Sequence, residues 1–127
     1  MVTIYLVRHG ETDWNLAGRL QGSTDIPLNE QGKQSALKTA HYFKANDIAI
    51  CCIMTSPLTR AKQTARIIAD VLSIPVLEQQ ALTERCFGEA EGLTAEEREL
   101  KFPNQDIPGL EDIKVVRQRV WNVLQTL

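Results

Sequence analysis

A chain of 127 residues, 43% of them hydrophobic, holds enough apolar side chain for one core and too little length for a second, so a single domain over residues 1–127 is expected. Its 14 basic residues stand against 16 acidic ones, a balance that as a whole draws the molecule neither to nucleic acid nor to a membrane surface. Any anion site is therefore local. Residues 1–7 are apolar but short, lack a basic leader and break at Arg8, unlike a secretory signal. The longest apolar run, 48–54, falls far below the length of a membrane span. Cys51, Cys52 and Cys86 are odd in number, and neighbours in a strand point to opposite faces. That argues against a disulfide framework or a zinc site, and for a reducing, cytoplasmic setting.

In chain order, Val2 to Val7 is a continuous β-branched and aliphatic run of the kind buried on both faces of a parallel sheet. Beyond a polar loop, Asn29 is placed to cap a helix running to about Asn46, with Ala36, Leu37, Ala40 and Phe43 as its apolar stripe. Ile48 to Thr55 follows as a second buried strand. Pro57 fits an early turn of the next helix, whose stripe is Ala61, Ala65, Ile68, Val71 and Leu72. Ile74 to Leu77 is a short third strand, placed at an edge by Pro75. Thr94 and Glu97 form the signature of a capping box. From Glu111 to Leu127, Ile113, Val116, Val120, Trp121, Leu124 and Leu127 recur at helical spacing. Trp14 and Trp121 read as packing residues. Strands alternating with helices predict an α/β domain, three-layered α/β/α around a mostly parallel sheet.

In such sheets ligands bind outside the carboxyl ends of the strands, which is where Arg8 and His9 fall. The second strand ends in Thr55-Ser56-Pro57-Leu58-Thr59-Arg60, putting Arg60 in the first turn of a helix whose free backbone donors favour an anion. Two guanidiniums converging on one histidine make a phosphate pocket, since each fork offers paired donors to phosphate oxygens. Asn15 and Gln21, in the loop between, add neutral donors. Nearby positive charge disfavours imidazolium, so His9 is expected neutral, with a lone pair for attack on phosphorus. A carbonyl supplied where Gly10 lets the chain turn would fix its tautomer. A departing alcohol needs a proton, and Glu84, after the third strand, is the candidate donor, its protonated form favoured by desolvation and by phosphate charge.

These residues resemble the histidine phosphatase superfamily, the phosphoglycerate-mutase-like group, over nearly the whole chain. The motif Arg8-His9-Gly10-Glu11-Thr12 is followed by Trp14-Asn15, by Gln21-Gly22 with Asp25, Pro27 and Leu28, and by Ser56-Pro57-Leu58 with Arg60 and Ala61. Leu82 and Glu84, Phe87-Gly88 and Glu91-Gly92 complete the series. The resemblance implies that His9 is the phosphorylated nucleophile, Arg8 and Arg60 the phosphate clamps, Glu84 the general acid, and Asn15, Gln21 and Gly22 substrate contacts. It implies a small phosphorylated metabolite as substrate and no cofactor.

The family also uses a second histidine, on a strand after the helix that Glu111 to Leu127 resembles, and this chain holds no such residue. His41, the only other histidine, lies on a predicted helix away from any strand end. By the resemblance, that strand belongs inside the sheet, between those ending at Arg8 and at Thr55, so two interior edges are expected to lie open. The chain is then expected to be the front part of a longer protein, or to fill the gap by homo-oligomeric pairing or strand exchange. A missing transition-state donor lowers rates by about 10²–10³.

Other phosphate chemistries are disfavoured: there is no glycine loop followed by lysine, no cysteine with arginine at the short spacing of a cysteine phosphatase, and no aspartate cluster for two metals. No metal is required where arginines supply the positive charge. Three functions stay open: a phosphomonoester hydrolase, a phosphoglycerate mutase, and a noncatalytic phosphate-binding or assembly protein. Residues 102–108 do not resemble the mutases' arginine-rich insertion, which tilts the choice toward hydrolysis.

Overall fold

The computed structural model describes residues 1–127. Five helices and two strands are present: α1 (Asp13–Leu16), α2 (Glu30–Ala45), β1 (Ile53–Thr55), α3 (Thr59–Leu72), β2 (Val76–Glu78), α4 (Ala95–Lys101) and α5 (Ile113–Leu124). Single 3-10 turns at Gln80–Leu82 and Gly88–Ala90 join the second half. No helix is long and apolar enough to cross a membrane.

The core forms where α2 packs on α3. Ala40, Phe43 and Ile68 are buried against one another, with Ile48, Ile53, Val71 and Leu72 closing round them. Helix α2 starts as its sequence dictates, with the Asn29 side chain accepting from the Gly32 N–H at 2.8 Å. Its expected stripe is buried except for Leu37, which is 43% exposed. On α3 the buried face is turned from the apolar expectation: Arg60 and Thr64 are buried beside Ala65, Ile68 and Ala69, while Ala61, Val71 and Leu72 are half-buried. A polar side chain sinks there only when it is hydrogen-bonded, and both are.

β1 and β2 pair in parallel, Ile53 opposite Val76 and Thr55 opposite Glu78, and α3 crosses between them as a helical connection. The second strand is thus shorter than the apolar run 48–55, and Pro57 lies just ahead of α3 rather than inside it. The largest departure is at the N-terminus. Val2 to Val7 has no ladder partner and is exposed, Val2 at 63% and Leu6 at 90%. A run apolar on both faces needs a neighbouring strand to satisfy its backbone and cover its side chains, and this sheet has only two strands. Tyr5 reaches the core, edge-on to Phe43 with ring centroids 5.7 Å apart.

Three further expectations change. The sulfurs of Cys51 and Cys52 lie 3.8 Å apart rather than on opposite faces, because β1 begins only at Ile53. Thr94 accepts the Glu97 N–H, but Glu97 pairs with Arg19 at 3.6 Å and does not return the bond. A reciprocal capping box stands instead at Thr12 and Asn15, around α1. Last, α5 packs against the Gln80–Leu82 turn and leaves its apolar face mostly open, with Trp121 55% exposed and Val123 its one buried residue.

Candidate active site

The site is built where the His9 loop meets the first turns of α3. The Gly10 N–H donates to the Thr64 hydroxyl at 3.0 Å, and that hydroxyl donates to the Arg60 carbonyl at 2.8 Å, so one threonine ties the loop to the helix that carries Arg60. A side chain on Gly10 would run into the backbone of Gly32 at the start of α2. Glycine is needed there for close approach, not for a turn that only glycine can make. Glu11 braces the same junction, its carbonyl accepting the Asn29 N–H at 2.9 Å and its carboxylate the Asn29 amide at 3.0 Å.

His9 Nδ1 lies 2.6 Å from the Gly10 carbonyl oxygen. A carbonyl only accepts, so Nδ1 carries the hydrogen and the lone pair of the neutral ring is on Nε2. The His9 pKa is held below its ordinary value of 6.5, first by burial; the Gly10 bond opposes this, Arg60 and Arg8 add to it, and Glu84 opposes it. The imidazole therefore stands within electrostatic reach of all three charged residues singled out from the sequence. The neutral form expected from charge alone owes more to burial.

Arg60 is 1% exposed. Its Nη1 donates to the Thr24 carbonyl at 2.8 Å and its Nη2 to the Gly22 carbonyl at 2.5 Å, leaving three of the five guanidinium N–H groups for a ligand. It is thus neither a surface ion pair nor a loose clamp, but a tie that holds the 22–24 loop against α3. Burial pulls its pKa down, opposed by Glu84, Asp25 and Glu91. Arg8, by contrast, is exposed and has no hydrogen bond or ion pair within the chain, so its guanidinium is free for an anion.

Asn15 and Gln21 converge on Thr12, which is fully buried. Its hydroxyl lies 3.0 Å from Asn15 Oδ1 and 2.6 Å from Gln21 Oε1, and its N–H donates to Asn15 Oδ1 at 3.0 Å. With both amide oxygens occupied, the amide NH₂ groups remain as donors, the role expected for them. Gly22 contributes its carbonyl to Arg60 and has no room for a side chain beside the Arg85 carbonyl and the Phe87 ring.

Glu84 is exposed, its Oε1 accepting the Arg85 N–H at 2.8 Å. The desolvation expected at this carboxyl is absent. Glu91, given no role above, organises the loop. Its Oε1 accepts the Thr24 N–H at 2.6 Å and the Thr24 hydroxyl at 2.5 Å, and its Oε2 the Ser23 hydroxyl at 3.0 Å and the Phe87 N–H at 3.1 Å. Desolvation raises its pKa, but bonds from Thr24, Ser23 and Cys86 outweigh that and hold it down to about 2. Asp25 caps α3 from the same loop, accepting the Thr59 N–H at 2.7 Å and the Thr59 hydroxyl at 3.0 Å. The signal for Thr12 was a threonine three residues before an asparagine; for Glu91 it was the Glu91-Gly92 pair, which carried no role. His41 is exposed on α2. No group of three or more His, Cys, Asp or Glu side chains comes together to hold a metal ion.

The pattern of the histidine phosphatase superfamily (branch 1) matches residues 4–127, and the chain belongs to that superfamily. It is 45% identical over 124 residues to the uncharacterized phosphatase PhoE of Bacillus subtilis (strain 168), covering 98% of this chain and 63% of that protein. It is 37% identical over 135 residues to the probable phosphoglycerate mutase GpmB of Salmonella choleraesuis (strain SC-B67), covering 98% of this chain and 62% of the relative. Among solved structures, a mycobacterial glucosyl-3-phosphoglycerate phosphatase complexed with VO₃ superposes with a TM-score of 0.85 at 27% identity, over 94% of this chain and 61% of that one. YhfR of Bacillus stearothermophilus superposes with a TM-score of 0.84 at 32% identity, over 94% and 63%. The fold is therefore the mixed α/β fold of the phosphoglycerate-mutase-like histidine phosphatases. The chain spans about three-fifths of the length of these relatives.

Proposed function

We propose that the chain acts in phosphomonoester hydrolysis through a phosphohistidine, on a small phosphorylated metabolite. The observation that carries this is the neutral His9 ring with Nε2 free, within electrostatic reach of Arg8, Arg60 and Glu84. Arg8 and the unspent donors of Arg60 hold the phosphate, and the amide groups of Asn15 and Gln21 contact its oxygens or the group it bears. Nε2 attacks phosphorus, the bond from phosphorus to the ester oxygen breaks, and Glu84 in its acid form gives that oxygen its proton. Because the site is open at Glu84, the negative charge of the bound phosphate is what favours the acid form there. Glu84, now a carboxylate, takes a proton from water as the water attacks phosphorus; the phosphorus–nitrogen bond breaks and neutral His9 returns. That a relative is named a phosphatase, and that a solved one binds a phosphate-like oxyanion, supports this choice. Three free thiols fit a reducing, cytoplasmic setting.

Release of nitrophenol from p-nitrophenyl phosphate tests this reading: His9→Ala is expected to abolish turnover, and turnover that survives the substitution contradicts it. A second reading, phosphoglycerate mutase, has in its favour the names of several relatives. Incubation with 3-phosphoglycerate separates the two, since a mutase interconverts the phosphoglycerates and a hydrolase releases inorganic phosphate.

A further inference from the structure

Glu84 is bonded only to the backbone of its own neighbour, yet the chain on either side of it is pinned. Arg119, on α5, donates from Nη1 to the Ala81 carbonyl at 2.6 Å, three residues before Glu84. Its Nε and Nη2 grip the Glu111 carboxylate as a fork, at 3.2 and 3.1 Å. Glu111 Oε1 in turn accepts the Cys86 N–H at 3.0 Å, two residues after Glu84. The Glu111 backbone adds a bond from its N–H to the Cys86 carbonyl at 2.8 Å and takes one from Arg85 Nε at 2.8 Å. A single ion pair therefore fastens both ends of the segment 81–86, and Ser23, Glu84, Cys86, Glu111 and Arg119 line one cleft.

The pair is better suited to this than to stability alone. Helix α5 packs against the Gln80–Leu82 turn, so a helix with a largely open apolar face is held where Arg119 meets the segment that carries Glu84. Forked arginine–carboxylate pairing fixes direction as well as distance, which a hydrophobic contact at this half-exposed position would not.

We propose that Glu111 and Arg119 are positioning residues that set the place of the Glu84 carboxyl for proton donation, a role resting on the phosphohistidine reading above. The test compares p-nitrophenyl phosphate, whose leaving group departs with little need of a proton, with an alkyl phosphomonoester such as glycerol 2-phosphate, whose leaving group needs one. In Glu84→Gln the ratio of aryl to alkyl kcat is expected to rise by about 10²-fold or more, the usual worth of a general acid. In Arg119→Met the same ratio is expected to rise by at least about tenfold with KM for the two esters changed alike. Arg119→Lys, which keeps the charge but not the fork, should raise it in the same direction and serves if the methionine variant does not fold. A ratio that rises in Glu84→Gln and stays fixed in the Arg119 variants overturns the positioning role and leaves the acid assignment standing. A ratio unmoved in Glu84→Gln, or no turnover of either ester by the unmodified chain, overturns the acid assignment and this proposal with it.

Discussion

Arg60 and Gly22, 38 residues apart in the chain, are joined by a hydrogen bond of 2.5 Å from Nη2 to the carbonyl oxygen, and the same guanidinium holds the Thr24 carbonyl at 2.8 Å. One side chain thus closes the loop against α3 and presents the rest of its charge beside His9. Arg60→Met leaves two carbonyls without their charged donor and is expected to lower stability by about 3 kcal/mol. Thermal denaturation at neutral pH measures it; an unchanged melting temperature would mean that the loop is held by Glu91 and Asp25 alone.

The two amides are set by Thr12. Thr12→Val keeps the volume and removes the hydroxyl, which costs α1 its cap and frees Gln21, while the backbone N–H still holds Asn15. A loss of about 1–2 kcal/mol is expected, with weaker binding of inorganic phosphate. Phosphate titration by calorimetry checks the second effect, and equal affinity in the two proteins would remove Gln21 from the site.

Glu91 makes the acid limb of stability. Its folded pKa, about 2, lies below the ordinary 4.5, so between those values the unfolded chain binds more protons than the folded one. The stability it contributes is fully present above 4.5 and is lost as pH falls through about 2. Glu91→Gln should be less stable at pH 7 and should flatten the decline in acid, as read from urea midpoints across pH. A parallel decline in both proteins would contradict the assignment.

His9 contributes with the same sign for a different reason. Its folded pKa lies below 6.5, so the unfolded chain binds more protons just under that pH, and stability rises with pH through that window and is complete above it. Proton NMR of the imidazole should show His9 titrating at lower pH in the folded chain than in the urea-unfolded one. Arg8→Gln removes one of the opposing cations and should move the His9 midpoint up; no movement would place Arg8 away from the ring.

Much of this was readable from the residues. Asn29 and Asn46 bound α2 as their types dictate, and the Arg8-His9-Gly10 stretch meets the helix that carries Arg60, tied to it through Thr64. What escaped is what depends on partners distant in sequence. No local pattern says that Arg60 sinks among carbonyls, that Glu91 gathers Ser23, Thr24 and Phe87, or that Glu111 and Arg119 bracket Glu84. Apolar runs also promise burial without supplying the neighbour, as Val2 to Val7 shows.

That exposed run makes a prediction of its own. An exposed apolar segment with no ladder partner is a template for pairing with another strand. Sedimentation of the chain should show association that grows with concentration and is reduced by Leu6→Lys; a monomer at all concentrations would mean that the segment does not pair.

The central claim is a covalent bond between phosphorus and His9 Nε2. Rapid quenching of the chain with a ³²P-labelled phosphomonoester should trap label that survives alkali, is lost in acid, and maps to the peptide containing His9. Label on another residue, or no trapped label while the ester is being turned over, would contradict the account.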